Sequence, residues 1–155
     1  MLRYSRGYKT MTILSCLFLA ACVGKPTDIG VHSGKLADCP SSPNCVSSDA
    51  QDANHHTKPF QLNSSPEEAW EQIRLEVENL PGSKIVTAER NYLHAECRSK
   101  VFKFVDDLEL HLRPEKKIVA VRSAARLGYS DFGVNRKRIE QLRSTLLQQG
   151  IIESD

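Results

Sequence analysis

Charged residues concentrate in two stretches whose residue types could bind an anion or do acid–base chemistry. The segment RSAARLGYSDFGVNRKRIE, residues 122–140, contains four arginines and one lysine, and FVDD, residues 104–107, contains two adjacent carboxylates. Arginine presents planar, bidentate donors that suit a phosphate or a carboxylate. The sequence therefore raises the question of whether a ligand or the chain's own carboxylates neutralise this positive charge.

Strand alternation in FKFVDDLELHLRP, residues 102–114, places Asp106 on an apolar face with Phe102, Phe104 and Leu108. An unpaired buried carboxylate is too costly to persist, so Asp106 requires a cationic partner. The available cations are Arg122, Arg126, Arg136 and Arg138, and the other carboxylates nearby in sequence are Asp107, Glu109 and Asp131.

Two interpretations of these charges compete. In the first, Asp106 and Asp131 pair with the arginines, and Asn135 bonds the loop backbone. In the second, the arginines and the exposed amides at the start of the last helix gather a phosphate, a carboxylate or a lipid head group. Four carboxylates stand near four arginines, so the charges balance without a ligand, and internal pairing is the favoured interpretation.

Catalysis has weaker support. The candidate nucleophiles and bases are Ser123, Ser130, His94, His111 and Cys97. No nucleophile-elbow sequence surrounds Ser130, and the chain contains no glycine-rich phosphate loop and no histidine–glutamate metal motif. A small hydrolase acting on an envelope substrate therefore stays an alternative.

Helical and strand patterns predict the elements that position these residues. In NSSPEEAWEQIRLEVENLPG, residues 63–82, Ser65 is a suitable N-cap and Pro66 a suitable first helical residue. Strands are predicted at residues 84–90, 92–98, 102–114 and 118–124. A last helix starting near Asp131 would place one stripe of residues toward the core: Phe132, Asn135, Ile139, Leu142 and Leu146. This order predicts an α+β domain of two layers, an antiparallel sheet of about four strands covered by an N-terminal and a C-terminal helix.

The beginning of the chain is typical of an export signal. A basic segment precedes the apolar run MTILSCLFLAA, residues 11–21, which is too short to cross a bilayer as a helix. LAAC, residues 19–22, resembles the lipobox of bacterial lipoproteins, in which the cysteine is lipidated and becomes the first mature residue. Val23 follows Cys22 instead of aspartate, which by resemblance to the bacterial sorting rule favours the outer membrane.

These features divide the chain into a signal peptide (1–21), a tether (22–35), a single domain (36–150) and a tail (151–155). The formal net charge of +2 includes Arg3, Arg6 and Lys9 of the signal. Without them, 18 basic residues face 19 acidic ones, which leaves a charge of about −1. A nearly neutral exported chain is a poor nucleic-acid binder.

Three cysteines remain after Cys22 is lipidated and the signal is removed: Cys39, Cys45 and Cys97. An oxidising compartment favours disulfides, and three thiols allow three different single bridges. We favour the local bridge between Cys39 and Cys45, which closes a small loop and contributes only about 2 kcal/mol. Cys97 falls on the inner face of its strand and would be a buried, inert thiol. The spacing of these cysteines and His55 or His56 matches no common zinc pattern.

Four segments together carry a resemblance to a known family. CPSSPNCVSS, YLHAECRS, FKFVDDLEL and VRSAARLGYSDFGVNRKRIEQLR occur in this order and resemble the bacterial family catalogued as domain of unknown function 1499, over about Leu36 to Leu147. The resemblance implies an exported envelope protein or lipoprotein with no established activity, so no catalytic residues can be transferred. It also implies that eight residues belong to one motif set: Asp106, Asp107, Arg122, Arg126, Tyr129, Asp131, Asn135 and Arg136.

The chain departs from the family pattern at one point, because Ala124 or Ala125 stands where the family usually has a serine. The family does not require a cysteine at Cys97, which supports Cys39–Cys45 as the bridge.

We therefore predict an outer-membrane lipoprotein facing the periplasm that is a non-catalytic binding module. Its ligand would be an anionic envelope molecule or a protein partner, bound by a candidate cluster that consists of the motif set and Arg138. We expect no cofactor, no metal and no nucleic acid, and membrane attachment through the N-terminal lipid. The alternatives are the small hydrolase and a purely structural envelope protein.

Overall fold

The computed structural model describes residues 28–154, so the predicted signal peptide and the lipidation site Cys22 lie outside the described residues. A 3₁₀ turn, Pro114–Lys116, separates the last two strands. The other elements are β1 (Val31–His32), β2 (Lys35–Leu36), β3 (Cys45–Ser47), β4 (Phe60–Gln61), α1 (Pro66–Asn79), β5 (Ser83–Ala88), β6 (Tyr92–Arg98), β7 (Val105–Arg113), β8 (Ile118–Ala125) and α2 (Val134–Gln148).

One antiparallel sheet of six strands forms the centre of the domain. Its order is β3-β8-β7-β6-β5, and β4 also pairs with β8. The predicted α+β class with an antiparallel sheet and two helices is confirmed, but the predicted number of about four strands is too low. The additional strands, β3 and β4, have three and two residues, which is too short to show an alternating pattern.

Both helices contribute to one hydrophobic core on the same face of the sheet. Ser65 caps α1 by accepting a hydrogen bond from the amide of Glu68, and Pro66 is the first helical residue, as predicted. The core contains these residues of the helices and the two central strands: Ala69, Trp70, Ile73, Val77, Leu108, Leu110, Leu112, Val119, Val121, Ile139, Leu142 and Leu146. We call this the helix face, and the opposite side, which carries Asp107 and Glu109, the outer face.

Helix α2 begins three residues later than predicted. Phe132 and Gly133 have positive φ angles of 54° and 77°, so the chain is not yet helical there. Phe132 is 89% exposed and does not join the predicted stripe, whereas Asn135 and Ile139 are buried as expected.

The start of β7 also differs from the prediction. Phe102 and Phe104 were expected on the inner face, but they are 75% and 55% exposed. The strand begins only at Val105, and Lys103 has a φ of 57°, which interrupts the alternation on which the prediction depended.

Regular structure and buried residues also occur close to both ends of the described chain. The β1–β2 hairpin, Val31 to Leu36, begins within the residues assigned to the tether, and its last residue, Leu36, and the following Ala37 are buried. At the other end, Ile151 and Ile152 belong to the hydrophobic core. Within residues 28–154, no helix has the length and apolar character needed to cross a membrane.

Candidate functional site

Adjacent carboxylates of β7 lie on opposite faces of the sheet, so the predicted cluster divides in two. Asp106 is opposite Ala125 of β8 on the helix face, and Glu109 is opposite Arg122 on the outer face. Because side chains alternate along a strand, Asp107 shares the outer face with Glu109. The predicted residues therefore cannot form one site.

The helix-face cluster consists of Asp106, Ser123, Asn135 and Arg138. Arg138 donates to Asp106 Oδ2 at 2.7 Å and to Ser123 Oγ at 2.9 Å. Asn135 accepts from Ser123 and Arg138 and donates to the carbonyl oxygen of Asn44 at 3.2 Å. The predicted pairing of Asp106 with one of the four candidate arginines is thus confirmed, and the partner is Arg138. Burial nevertheless raises the pKa of Asp106, and Arg138 offsets this only in part.

Within residues 28–154, Asp131 forms no ion pair with an arginine, in contrast to the first interpretation, and instead bonds backbone amides at the start of α2. Its Oδ2 accepts from the amide of Asn135 at 2.8 Å, and its Oδ1 accepts from the amide of Gly133 at 3.0 Å. These amides belong to the helix start that the second interpretation assigned to an anion. A carboxylate of the chain already satisfies them.

The first part of the outer-face network centres on Asp107. Arg126 donates to Asp107 Oδ1 at 2.7 Å and to Glu96 Oε1 at 2.8 Å, and the His94 ring nitrogen lies 2.7 Å from Asp107 Oδ1. Burial alone would raise the pKa of Asp107, but the hydrogen bonds from His94 and Arg126 outweigh it and hold that pKa below its ordinary value.

The second part of the network is the pair of Glu109 and Arg122. Arg122 Nη1 lies 2.6 Å from Glu109 Oε2, and the two side chains are 1% and 0% exposed. The Tyr92 hydroxyl donates to Glu109 Oε1 at 2.9 Å. Burial and the Glu109 carboxylate raise the pKa of Tyr92, which keeps this donor protonated. Arg122, one of the candidate partners of Asp106, therefore does not reach it, because Arg122 lies on the other face of the sheet.

The segment of residues 28–38, which we call the N-terminal cover, closes the outer face. Its Gly30 amide donates to Glu109 Oε1 at 2.6 Å, and the carbonyl of Asp38 accepts from Arg122 at 3.4 Å. Its Leu36 amide donates to Asp49 at 2.9 Å. Main-chain groups make all three contacts, so they leave no recognisable signal in the sequence.

The predicted disulfide between Cys39 and Cys45 is present. It directly follows the N-terminal cover and joins it to β3, which pairs with β8 opposite Arg122. Cys97 is the free cysteine of the described residues, and burial raises the pKa of its thiol, as expected for an inert side chain.

Arg136 and Tyr129 belong to neither network. Arg136 donates to the carbonyl oxygens of Asn54 and His56 at 2.8 and 2.9 Å. Tyr129 is 75% exposed. The family resemblance had grouped these residues with the cluster, but Tyr129 lies in the loop after β8 and Arg136, in the first turn of α2, bonds backbone carbonyls instead.

A cleft of about 320 Å³ lies where the ends of α1 and β6 meet the first turns of α2. Its charged lining consists of Arg98, Lys100, Lys137, Arg138 and Asp106, and we call it the basic cleft. Arg98 is paired with Glu96 at 2.9 Å and Arg138 with Asp106, whereas no carboxylate within residues 28–154 forms an ion pair with Lys100 or Lys137. Sequence reasoning missed Lys100, because a lysine in a loop between strands has no distinctive pattern.

The residues considered for catalysis do not meet in the structure. His94 faces Asp107, and Ser123 lies on the opposite face of the sheet with Asn135. Among the residues described, no serine hydroxyl or cysteine thiol is hydrogen-bonded to a histidine ring, and no group of three or more His, Cys, Asp or Glu side chains could hold a metal ion.

Comparison with known proteins gives one match. The model of a family described as protein of unknown function (DUF1499) matches residues 35–146. No curated protein and no solved structure matches the chain.

Proposed function

The chain belongs to the DUF1499 family, and because that family is described as having unknown function, we propose a function from the geometry. The protein is a lipid-anchored envelope protein that acts as a non-catalytic binding module. Its ligand is an anionic envelope molecule that carries a phosphate or carboxylate, and its binding site is the basic cleft.

The observation that carries this proposal is the positive charge left in the cleft after internal pairing. On the outer face, Arg122 is ion-paired with Glu109 and Arg126 with Asp107. In the cleft, Arg138 neutralises the carboxylate of Asp106, so Lys100 and Lys137 remain to attract an anion. We therefore assign the binding site to the basic cleft and not to the arginines that the sequence suggested.

Two features support the proposed location in the envelope. The Cys39–Cys45 disulfide is typical of an oxidising compartment, and LAAC resembles a lipobox. Growth with a radiolabelled fatty acid tests the anchor: we expect label in the mature protein and none in Cys22→Ala. Label that persists in this variant would contradict lipidation at Cys22.

Calorimetric titration with glycerol 3-phosphate tests the binding site. We expect Lys100→Glu and Lys137→Glu each to weaken binding about tenfold, because each removes one attractive charge and adds a repulsive one. The matched control is Lys84→Glu, an exposed lysine of β5 outside the cleft lining, which should bind as the parent does. Equal affinity in all four proteins would contradict the cleft.

One observation favours a different function. Each arginine of the predicted cluster already has a partner, either a carboxylate or, for Arg136, backbone carbonyls. A purely structural envelope protein would need no more than this, and the absence of any heat of binding with glycerol 3-phosphate would support that alternative.

A further inference from the structure

Large apolar side chains project into solvent from two loops at one end of the sheet. Phe102 and Tyr129 are each 75% exposed, and Phe132 is 89% exposed. A cluster of several large, exposed apolar side chains on a small domain marks an interaction surface. We call the surface the apolar rim, and its members are Val101, Phe102, Phe104, Leu127, Tyr129 and Phe132.

The two loops are neighbours. The amide of Arg126 donates to the carbonyl of Val105 at 3.2 Å, which joins the base of one loop to the base of the other. Hydrogen bonds between Ser99 and Phe104 close the first loop, and the rings of Phe102 and Phe104 lie 5.6 Å apart. The aromatic side chains are thus presented outward by an ordered turn.

Basic residues accompany the apolar rim. Arg98, Lys100 and Lys103 lie in residues 98–104, which contain no acidic residue. In the second loop the carboxylate of Asp131 is occupied by backbone amides, and Lys137 follows in α2. Aromatic and basic side chains on one surface suit the interface of an anionic bilayer, where rings insert at head-group depth and lysines meet lipid phosphates.

The position of the N-terminus brings this surface within reach of the membrane. From the proposed acylation site at Cys22 to Asp28 there are six residues, which span at most about 20 Å. Gly30 is fixed at Glu109, which is four residues, or about 13 Å, along β7 from the base of the rim at Val105. The acyl chains and the apolar rim can therefore enter the same bilayer surface.

We propose that the apolar rim docks on an anionic phospholipid bilayer, with its aromatic rings among the head groups and Lys100, Lys103 and Lys137 on lipid phosphates. The proposal rests on the proposed function, because a lipid phosphate is then the anionic ligand of the basic cleft. We favour a bilayer over a protein partner for two reasons. A protein partner would not require the basic residues, and the short segment between Cys22 and Asp28 would hold the apolar rim close to lipid.

Flotation with vesicles tests the proposal. The mature chain from Cys22 is used with Cys22→Ser, which removes the acyl chains but keeps all residues of the core. We expect binding to vesicles that contain phosphatidylglycerol and little binding to pure phosphatidylcholine. Phe102→Ser/Phe132→Ser should weaken binding at least tenfold, and Leu75→Ser/Val86→Ser, which alters exposed apolar residues of α1 and β5, should not.

Binding that the Phe102→Ser/Phe132→Ser variant retains, or absence of binding to anionic vesicles, would overturn the docking proposal. Calorimetry with glycerol 3-phosphate on the same variant separates this failure from failure of the proposed function. If the soluble phosphate still binds while vesicles do not, the cleft stands and the docking proposal falls. If the parent chain binds neither, both proposals fall.

Discussion

Asp106 and Asp107 are adjacent in the chain, yet their carboxylates lie on opposite faces of the sheet and differ in their partners and in the direction of their pKa shifts. On the helix face, Asp106 has one arginine partner, Arg138, and its pKa is raised because burial prevails. On the outer face, Asp107 is more deeply buried, with 3% of its side chain exposed, but Arg126 and His94 both bond it and its pKa is lowered. The bonds from His94 and Arg126 therefore outweigh the effect of burial on the pKa of Asp107, whereas the single arginine at Asp106 does not.

The two faces also differ in how they are closed. Helix α2 covers the helix face with apolar side chains, and Arg138 stays at the margin of the basic cleft, with 14% of its side chain exposed. The N-terminal cover closes the outer face with main-chain groups bonded to Glu109 and Arg122. The outer-face network is thus a buried structural element, whereas the basic cleft beside the helix face keeps two lysines, Lys100 and Lys137, that form no ion pair within residues 28–154.

The largest expected effect is the loss of the Glu109 carboxylate. Glu109→Ala leaves the guanidinium of Arg122 buried without a counter-charge, so we expect a loss of about 3–5 kcal/mol in the free energy of unfolding, measured by urea denaturation. The double variant Glu109→Leu/Arg122→Met removes both charges and should recover most of this loss. A loss below about 1 kcal/mol for Glu109→Ala would show that the outer face admits water.

Removal of the Asp106 carboxylate should cost less. In Asp106→Ala, Arg138 keeps its hydrogen bonds to Ser123 and Asn135 and is partly exposed, so we expect a loss of about 2–3 kcal/mol in the same assay. A cost as large as that of Glu109→Ala would mean that the two faces do not differ in their tolerance of an unpaired arginine.

Loss of the disulfide should affect mainly one face. Cys39→Ser/Cys45→Ser is expected to cost about 2 kcal/mol, because the bridge closes a small loop. Hydrogen exchange should increase at the amides of Gly30 and Leu36, since the N-terminal cover is no longer tied to β3. Exchange in α1 should stay unchanged, and an equal increase there would contradict a local role.

The smallest effects are opposite dependences on pH. The lowered pKa of Asp107 gives stability that is present above its ordinary value of 3.8 and is lost as pH falls through the folded-state pKa. The raised pKa of Asp106 gives the reverse, a contribution present below 3.8 and lost as pH rises through the folded-state pKa.

Urea denaturation between pH 2 and pH 7 measures both dependences. As pH rises, the parent should gain stability relative to Asp107→Asn and lose stability relative to Asp106→Asn. Two difference curves of the same sign would show that the carboxylates share one environment.

Most helices and strands of the fold could be predicted, because the sequence patterns that indicate them are local. Alternation gave β6 and β8 nearly to the residue, and Ser65 and Pro66 marked the start of α1. Because a buried carboxylate needs a cation, an arginine partner for Asp106 could also be predicted, although the choice of Arg138 among the four candidates could not.

The remaining features depend on contacts between distant parts of the chain. Side-chain alternation along β7 puts Asp107 and Glu109 on the face opposite Asp106, but their partners follow from the β7–β8 register, which sets Glu109 opposite Arg122. The N-terminal cover uses amide and carbonyl groups that every residue has, and the basic cleft joins Lys100 to Lys137 across two loops. Hydrophobic periodicity in the sequence does not indicate contacts of this kind between distant segments.

The central claim is that the arginines of both charge networks pair with carboxylates of the chain and that ligands meet the protein at the basic cleft. Amide chemical shifts of the mature Cys22→Ser chain, recorded by NMR during titration with inorganic phosphate, test it most directly. We predict shifts at Ser99, Lys100 and Lys137 and none at Glu109 and Arg122. Shifts centred on Glu109 and Arg122, with the cleft unchanged, would contradict the account.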